Sequence, residues 1–258
     1  MKLAVLDWGI GGLGVFRLLA ARYPAVPVVY LSDAGFTPYG KVPRRALAAR
    51  VDHLARHLAR AHGADHVVLA CNAASTVLPD LDAPRDGVAV CGIIAPALAE
   101  LARRAPARIG VIGGRRTVRN GAYGRALRAA GHHVRQRVAQ PLSAHVEAGR
   151  LATEAVRGDV ASILAPLGGV DVLVMACTHY PALAPLLREH CPRAELYDPA
   201  NAALSHVARE WRLASAPSPA PPAHRFFTTG DPDAMRRSAR LAFGLELDRI
   251  DRLPLSGG

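Results

Sequence analysis

Residues 64–71 read "ADHVVLAC" and residues 170–177 read "VDVLVMAC". Each is an apolar, valine-rich run that carries an aspartate near its start and ends on a cysteine. Residues 3–7, "LAVLD", and 109–113, "IGVIG", form a second similar pair. Both pairs are separated by the same 106 residues, since 3 maps to 109 and 64 maps to 170. Unrelated strands would match at scattered offsets, so one shared offset points to a duplicated unit. Asp65 then corresponds to Asp171, and Cys71 to Cys177.

Outward from these runs the pattern alternates. Leu3–Leu6, Val26–Leu31, Val67–Ala70, Val88–Ile94, Ile109–Ile112, His133–Val138, Val172–Ala176 and Leu196–Tyr197 read as strands, with segments between them long enough for crossover helices. That order predicts an α/β protein with parallel sheets covered by helices. Duplication makes it two pseudo-symmetric parallel-sheet domains facing a central cleft. After a proline-rich linker, "ASAPSPAPP" at 214–222, "RFFTTG" reads as a strand. "DPDAMRRSARLAFG" reads as a helix with Asp231 as N-cap and Pro232 at its first position. This unit is expected to return to the first half, giving a discontinuous first domain of 1–92 plus 206–258 and a second of 93–205.

The chain has 258 residues, half of them apolar, enough for a substantial core. No apolar run is long enough to span a bilayer. The start, "MKLAVLDWG", lacks the features of a signal peptide, so a cytoplasmic protein is expected, with Cys71, Cys91, Cys177 and Cys191 reduced. The net charge of +11 invites a nucleic-acid reading. Against it, only Lys2 and Lys41 are lysines, the arginines are spread along helices, and aromatic residues are few. Neither a nucleic-acid nor a membrane partner is expected.

"LAVLDWGIGGLG" at 3–14 matches G-x-G-x-x-G through Gly9, Gly11 and Gly14, and Asp33 lies where a ribose-binding acid would. The match is read as a decoy. Asp7 at the strand end would repel a pyrophosphate, and Trp8 would crowd it. The glycines are better explained by a tight strand-to-helix turn, whose amides are expected to receive a substrate carboxylate.

Ligands of open α/β sheets sit beyond the carboxyl ends of the strands, where both Cys71 and Cys177 fall. Either alone would pass as an inert buried thiol. As a repeat-related pair facing one cleft they suit inversion of a carbon centre, with a thiolate on one face and a thiol on the other. His179, two residues after Cys177, can exchange its proton, and Asp7 can lie near Cys71. The Pro/Gly loop "TPYGK" brings Tyr39 and Gly40 toward the same cleft. Glu147 reads by default as part of a solvated helix face. Cys91 and Cys191 read as structural. His53, His57 and His62 read as exposed on a helix, and His132 and His133 as loop or strand-edge residues. Zinc at Cys177 and His179 lacks a third ligand nearby, so no metal is expected.

At these residues the chain resembles the glutamate racemases of the aspartate/glutamate racemase superfamily, over about residues 3–243. "LDWGIGGLGVFRLL", "YLSDAGFTPYGKVP", "VLACNAAS", "VMACTHYP", "IGVIGGRRTVRNGAYGRAL" and the closing "FTTGDP" carry the likeness. The resemblance implies a cofactor-independent isomerase that interconverts L- and D-glutamate for peptidoglycan synthesis. It implies Cys71 and Cys177 as the bases, assisted by Asp7 and His179, with Glu147 as a supporting acid. It implies substrate contacts from Asp7, position 8, Tyr39, Gly40, Asn72, position 73, Thr178 and His179, and a homodimer. Three hydroxyls of the family pattern are replaced, by Trp8, Ala73 and Gly114. Losing two of them removes hydrogen bonds of about 0.5–1.5 kcal/mol each. Two alternatives follow: a related racemase for another acid, and a catalytically lapsed binding or regulatory homologue.

Overall fold

The computed structural model describes residues 1–214 and 223–255. The first half runs β1 (Leu3–Asp7), α1 (Leu13–Arg22), β2 (Val28–Ser32), α2 (Arg44–His62), β3 (His66–Leu69), α3 (Asn72–Ser75), β4 (Ala89–Gly92) and α4 (Ile94–Leu101). The second runs β5 (Arg108–Gly113), α5 (Arg115–Asn120), α6 (Ala122–Ala129), β6 (His133–Val138), α7 (Gln140–Glu147), α8 (Glu154–Leu164), β7 (Val172–Ala176), α9 (Ala184–His190), β8 (Glu195–Tyr197) and α10 (Pro199–Glu210). The chain ends in β9 (Arg225–Thr228), α11 (Pro232–Phe243) and β10 (Ile250–Arg252).

Two all-parallel sheets result, in the orders β10-β9-β2-β1-β3-β4 and β6-β5-β7-β8. Without the two returning strands, the first order is β2-β1-β3-β4, the same as the second. The repeated sequences are the central pair of each sheet, β1 beside β3 and β5 beside β7. Their side chains are almost wholly buried, as strands covered on both faces must be. β2 begins after Pro27, which has no N–H to give a ladder, rather than at Val26.

Helix formation follows apolar spacing. In α2, Leu47, Val51, Leu54 and Leu58 recur every three or four residues and are buried, and Gly63 ends the helix at φ 64°. The polar side of that helix is less open than its sequence suggests. His53 is exposed, but His57 and His62 are half-buried, and the His62 ring lies 4.4 Å from that of Phe227. His132 is a buried loop residue that accepts from Ala107 N–H at 3.2 Å, and His133 is exposed at the start of β6.

The terminal strand β9 pairs with β2, and α11 starts as expected, with the Asp231 carboxylate accepting from Asp233 N–H at 2.9 Å. Of the proline-rich stretch 214–222, all but Ala214 lies outside the described residues. The 92/93 division falls between β4 and α4; the 205/206 division falls inside α10, which packs on both α1 and α4. Among the described residues no helix is long and apolar enough to cross a membrane.

Candidate active site

The turn after β1 is built around two carboxylates from different parts of the chain. Asp7 is fully buried. Its Oδ1 accepts from Trp8 N–H at 2.8 Å, and its Oδ2 from Gly12 N–H at 2.5 Å and the Thr178 hydroxyl at 3.1 Å. Glu147 Oε1 accepts from Ile10 N–H at 2.7 Å. Three amides of the turn, those of Trp8, Ile10 and Gly12, are therefore already used, which corrects the expectation for them that they receive a substrate carboxylate.

The glycines have another purpose. A Cβ on Gly9 would lie 1.8 Å from Glu147 Oε1, and one on Gly11 would lie 2.5 Å from Thr178 Oγ1 and 2.7 Å from His179 Nδ1. They let side chains from the second half press against the first. Asp33, the supposed ribose ligand, is buried and paired with Arg50 at 2.7 Å, and it accepts from the Tyr39 hydroxyl at 2.8 Å and from Thr229 at 2.9 Å. Its lone pairs stay inside the protein.

Cys177 follows β7. Its Sγ lies 3.5 Å from His179 Nδ1, and His179 Nε2 lies 2.5 Å from Glu147 Oε1. Glu147 is thus not on a solvated face; it closes a Cys177–His179–Glu147 chain. Burial works against charge on His179. The hydrogen bonds to Cys177 and Glu147 outweigh it and hold the imidazole pKa well above the usual range. The imidazolium then donates from both nitrogens, toward the sulfur and toward the carboxylate. The neighbouring Tyr180 hydroxyl donates to Ala139 O at 2.8 Å and fixes this loop.

Cys71 follows β3 and opens the short helix α3. Burial pushes its thiol pKa well up, and the adjacent Asp7 carboxylate pushes it further. Asp7 is itself raised by burial, with His179 and Cys71 pulling the other way. Asn72, next to Cys71, accepts from the Tyr123 hydroxyl at 2.9 Å through Oδ1, while its buried Nδ2 has no partner.

One cleft joins these groups. Trp8, Tyr39, Gly40, Cys71, Asn72 and Ala73 line it from the first half, and Gly114, Cys177, Thr178 and His179 from the second. Of the residues singled out from the sequence, Asp7 and Glu147 do not line it; they stand behind Cys71 and His179. The Trp8 indole is fixed by donating to Phe36 O at 3.0 Å, and the Tyr39 hydroxyl is committed to Asp33, leaving its ring as wall. Cys91 and Cys191 lie outside the cleft, and burial pushes Cys91 up to about 11. Arg116, Thr117, Gln140 and Ser143 line the cleft and were missed. Gln140 and Ser143 precede Glu147 by seven and four residues on α7, so helical spacing from Glu147 would have found them.

Known proteins resemble this chain in sequence and in fold. The Asp/Glu/Hydantoin racemase family matches residues 14–207. A glutamate racemase of Gloeobacter violaceus is 36% identical over 252 residues, 93% of this chain and 91% of the relative. Among solved structures, a glutamate racemase of Thermus thermophilus in complex with β-chloro-D-alanine superposes with a TM-score of 0.85 at 29% identity, covering 98% of this chain and 97% of that one. A glutamate racemase isoform of Bacillus anthracis superposes at 0.86 and 26%, with the same coverage. The family match over most of the chain, with relatives of that identity along nearly its full length, makes this chain a member of the Asp/Glu/Hydantoin racemase family.

Proposed function

We propose that the chain is a cofactor-independent glutamate racemase, interconverting L- and D-glutamate by two-thiol acid–base chemistry and supplying D-glutamate for peptidoglycan. The observation that carries this reading is the pair of cysteines, one from each half, lining a single cleft with a different proton-handling group behind each. Cys177, hydrogen-bonded to the His179 imidazolium, acts as thiolate and takes the α-proton. Cys71, kept as thiol by burial and Asp7, gives its proton to the opposite face. The product state has the roles reversed, which is the state needed for the other enantiomer. Between the two transfers the α-carbon carries negative charge, and Asn72 Nδ2, which has no partner among the described residues, is the donor best placed beside the cysteines to bind the attached carboxylate.

The reading includes a homodimer in the cytoplasm, which sedimentation and cell fractionation test. A lapsed homologue is disfavoured because the supporting groups behind both thiols are intact. The direct test is incubation of the purified protein with each enantiomer of glutamate in D₂O, without added cofactor. Deuterium uptake at the α-carbon with inversion is expected from both. Folded protein with free thiols that gives no uptake would end the glutamate reading.

A further inference from the structure

Trp8, Ala73 and Gly114 line the cleft without a hydroxyl, and its neutral polar lining includes Thr117, Gln140 and Ser143. For an acidic substrate the cleft also supplies a donor of a different kind. Among the described residues lining it, Arg116 is the one arginine or lysine. It projects from the first turn of α5, and its Nε donates to Tyr39 O at 2.9 Å and its Nη2 to Val42 O, both in the opposite half. These bonds use one side of the guanidinium and leave Nη1 without a partner among the described residues. The other charged groups are His179, which lines the cleft with the Glu147 carboxylate behind it, Asp7 behind Cys71, and Arg44 on the outer side of Arg116.

Position separates the two ends of the substrate. Asn72 and Thr178 adjoin the cysteines in sequence and belong with the reacting carbon. Arg116 is tied instead to the carbonyls of the 39–42 loop. Gly114, two residues earlier, brings no side chain of its own, and the Gln140 carboxamide lies beside it, 3.2 Å from where a Cβ would stand. We propose that Arg116 binds the side-chain carboxylate of the substrate and so makes the enzyme select acidic over neutral amino acids. The proposal rests on the racemase reading and names its specificity determinant.

The test compares the intact protein with Arg116→Gln and Arg116→Lys, using α-deuterium exchange with glutamate and with glutamine, its neutral isostere. Arg116→Gln is expected to raise KM for glutamate about 10–100-fold, the range of a lost charge-assisted hydrogen bond, with kcat within a few-fold. The preference for glutamate over glutamine should fall by the same factor. Arg116→Lys, which keeps the charge but not the fork, should restore part of it. If Arg116 merely ties the two halves together, both substrates will lose equally and the preference will not move, which overturns the proposal. Should the unaltered protein exchange neither substrate, the racemase reading fails separately. Calorimetry with glutarate and butyrate then decides: glutarate binding lost only in Arg116→Gln supports the carboxylate site, and equal binding in both proteins refutes it.

Discussion

Cys71 and Cys177 end equivalent strands of sheets with the same internal order, yet what stands behind them differs. Behind Cys71 is Asp7, a buried carboxylate whose charge adds to burial in pushing the thiol pKa up. Behind Cys177 is the His179 imidazolium, itself held by Glu147, which offers a hydrogen bond to a thiolate. Duplication alone would give two identical thiols whose protonation has to be decided by chance. On the proposed mechanism, divergence of the supports makes the resting state unequal, one face a base and the other an acid. Two equal groups would both be thiols or both thiolates for part of the time, and neither state inverts a carbon. On that mechanism the symmetry serves the two faces of the substrate, while the asymmetry sets the starting protonation.

Removal of either thiol is the largest expected effect. Cys71→Ser and Cys177→Ser should each lower inversion about 10²–10⁴-fold, the usual worth of a positioned acid or base. Following α-deuterium uptake separately from inversion sharpens the comparison. Each variant keeps one face functional, so residual wash-out should favour opposite enantiomers in the two. Near-normal inversion in either would break the two-base scheme.

Next are the supports. Asp7→Asn and His179→Asn should each cost about 10–100-fold in kcat, less than the thiols they serve. Their signs differ in alkylation by iodoacetamide, mapped by mass spectrometry. Both thiols keep some exposure. Cys177 should react first near neutral pH, since the thiolate is the nucleophile. His179→Asn should slow Cys177, whereas Asp7→Asn should speed Cys71 by removing the charge that opposes its ionisation. Equal rates in the unaltered protein would erase the asymmetry. Stability should follow pH with a definite sign. The folded-state pKa of His179 is raised, so its contribution is full below its unfolded value near 6.5 and is lost as pH rises through the folded value. The stability difference between the unaltered protein and His179→Asn should shrink from acid into alkaline solution, measured by urea unfolding.

The duplicated strands were legible because parallel strands buried on both faces show as continuous apolar runs, and because two of them shared one offset. β10 was not, being three residues long with one of them exposed. Among the site residues, those next to a motif cysteine were found directly. Glu147 was half-found: its chain segment shows an ordinary polar helix position, and only the fold brings it to His179. Arg116 was hidden among 31 other arginines and lysines, many spread along the helices, where charge alone cannot say which one faces inward. The turn amides were misread for a physical reason. Local sequence shows unpaired N–H groups after β1, but their acceptors include Glu147, a residue 137 positions away from Ile10.

The smallest effects test what the glycines of the turn are for. If they served backbone freedom alone, Gly9, Gly11 and Gly14 would tolerate alanine similarly, since none of them has a positive φ. If they make room for the second half, their tolerances should separate by what a Cβ would meet. At Gly9 it meets Glu147 Oε1 at 1.8 Å, and at Gly11 it meets Thr178 and His179 within 2.9 Å; at Gly14 the nearest atom is in Phe243 at 3.5 Å, an ordinary contact. Gly9→Ala forces the Glu147 carboxylate away from His179, so it should lose about tenfold in kcat and roughly 1–3 kcal/mol of stability from overpacking. The activity loss stays below that of His179→Asn, because the imidazole remains beside Cys177. Gly11→Ala should fall in the same range, since it displaces His179 without deleting it. Gly14→Ala should leave kcat within about twofold, and it should change stability by less than about 1 kcal/mol, because helix α1 gains a better helix former. Steady-state racemisation and urea midpoints on the three variants decide between the two accounts. Equal tolerance at all three would return the turn to a purely conformational role, and the close approach of the two supports would then need another cause.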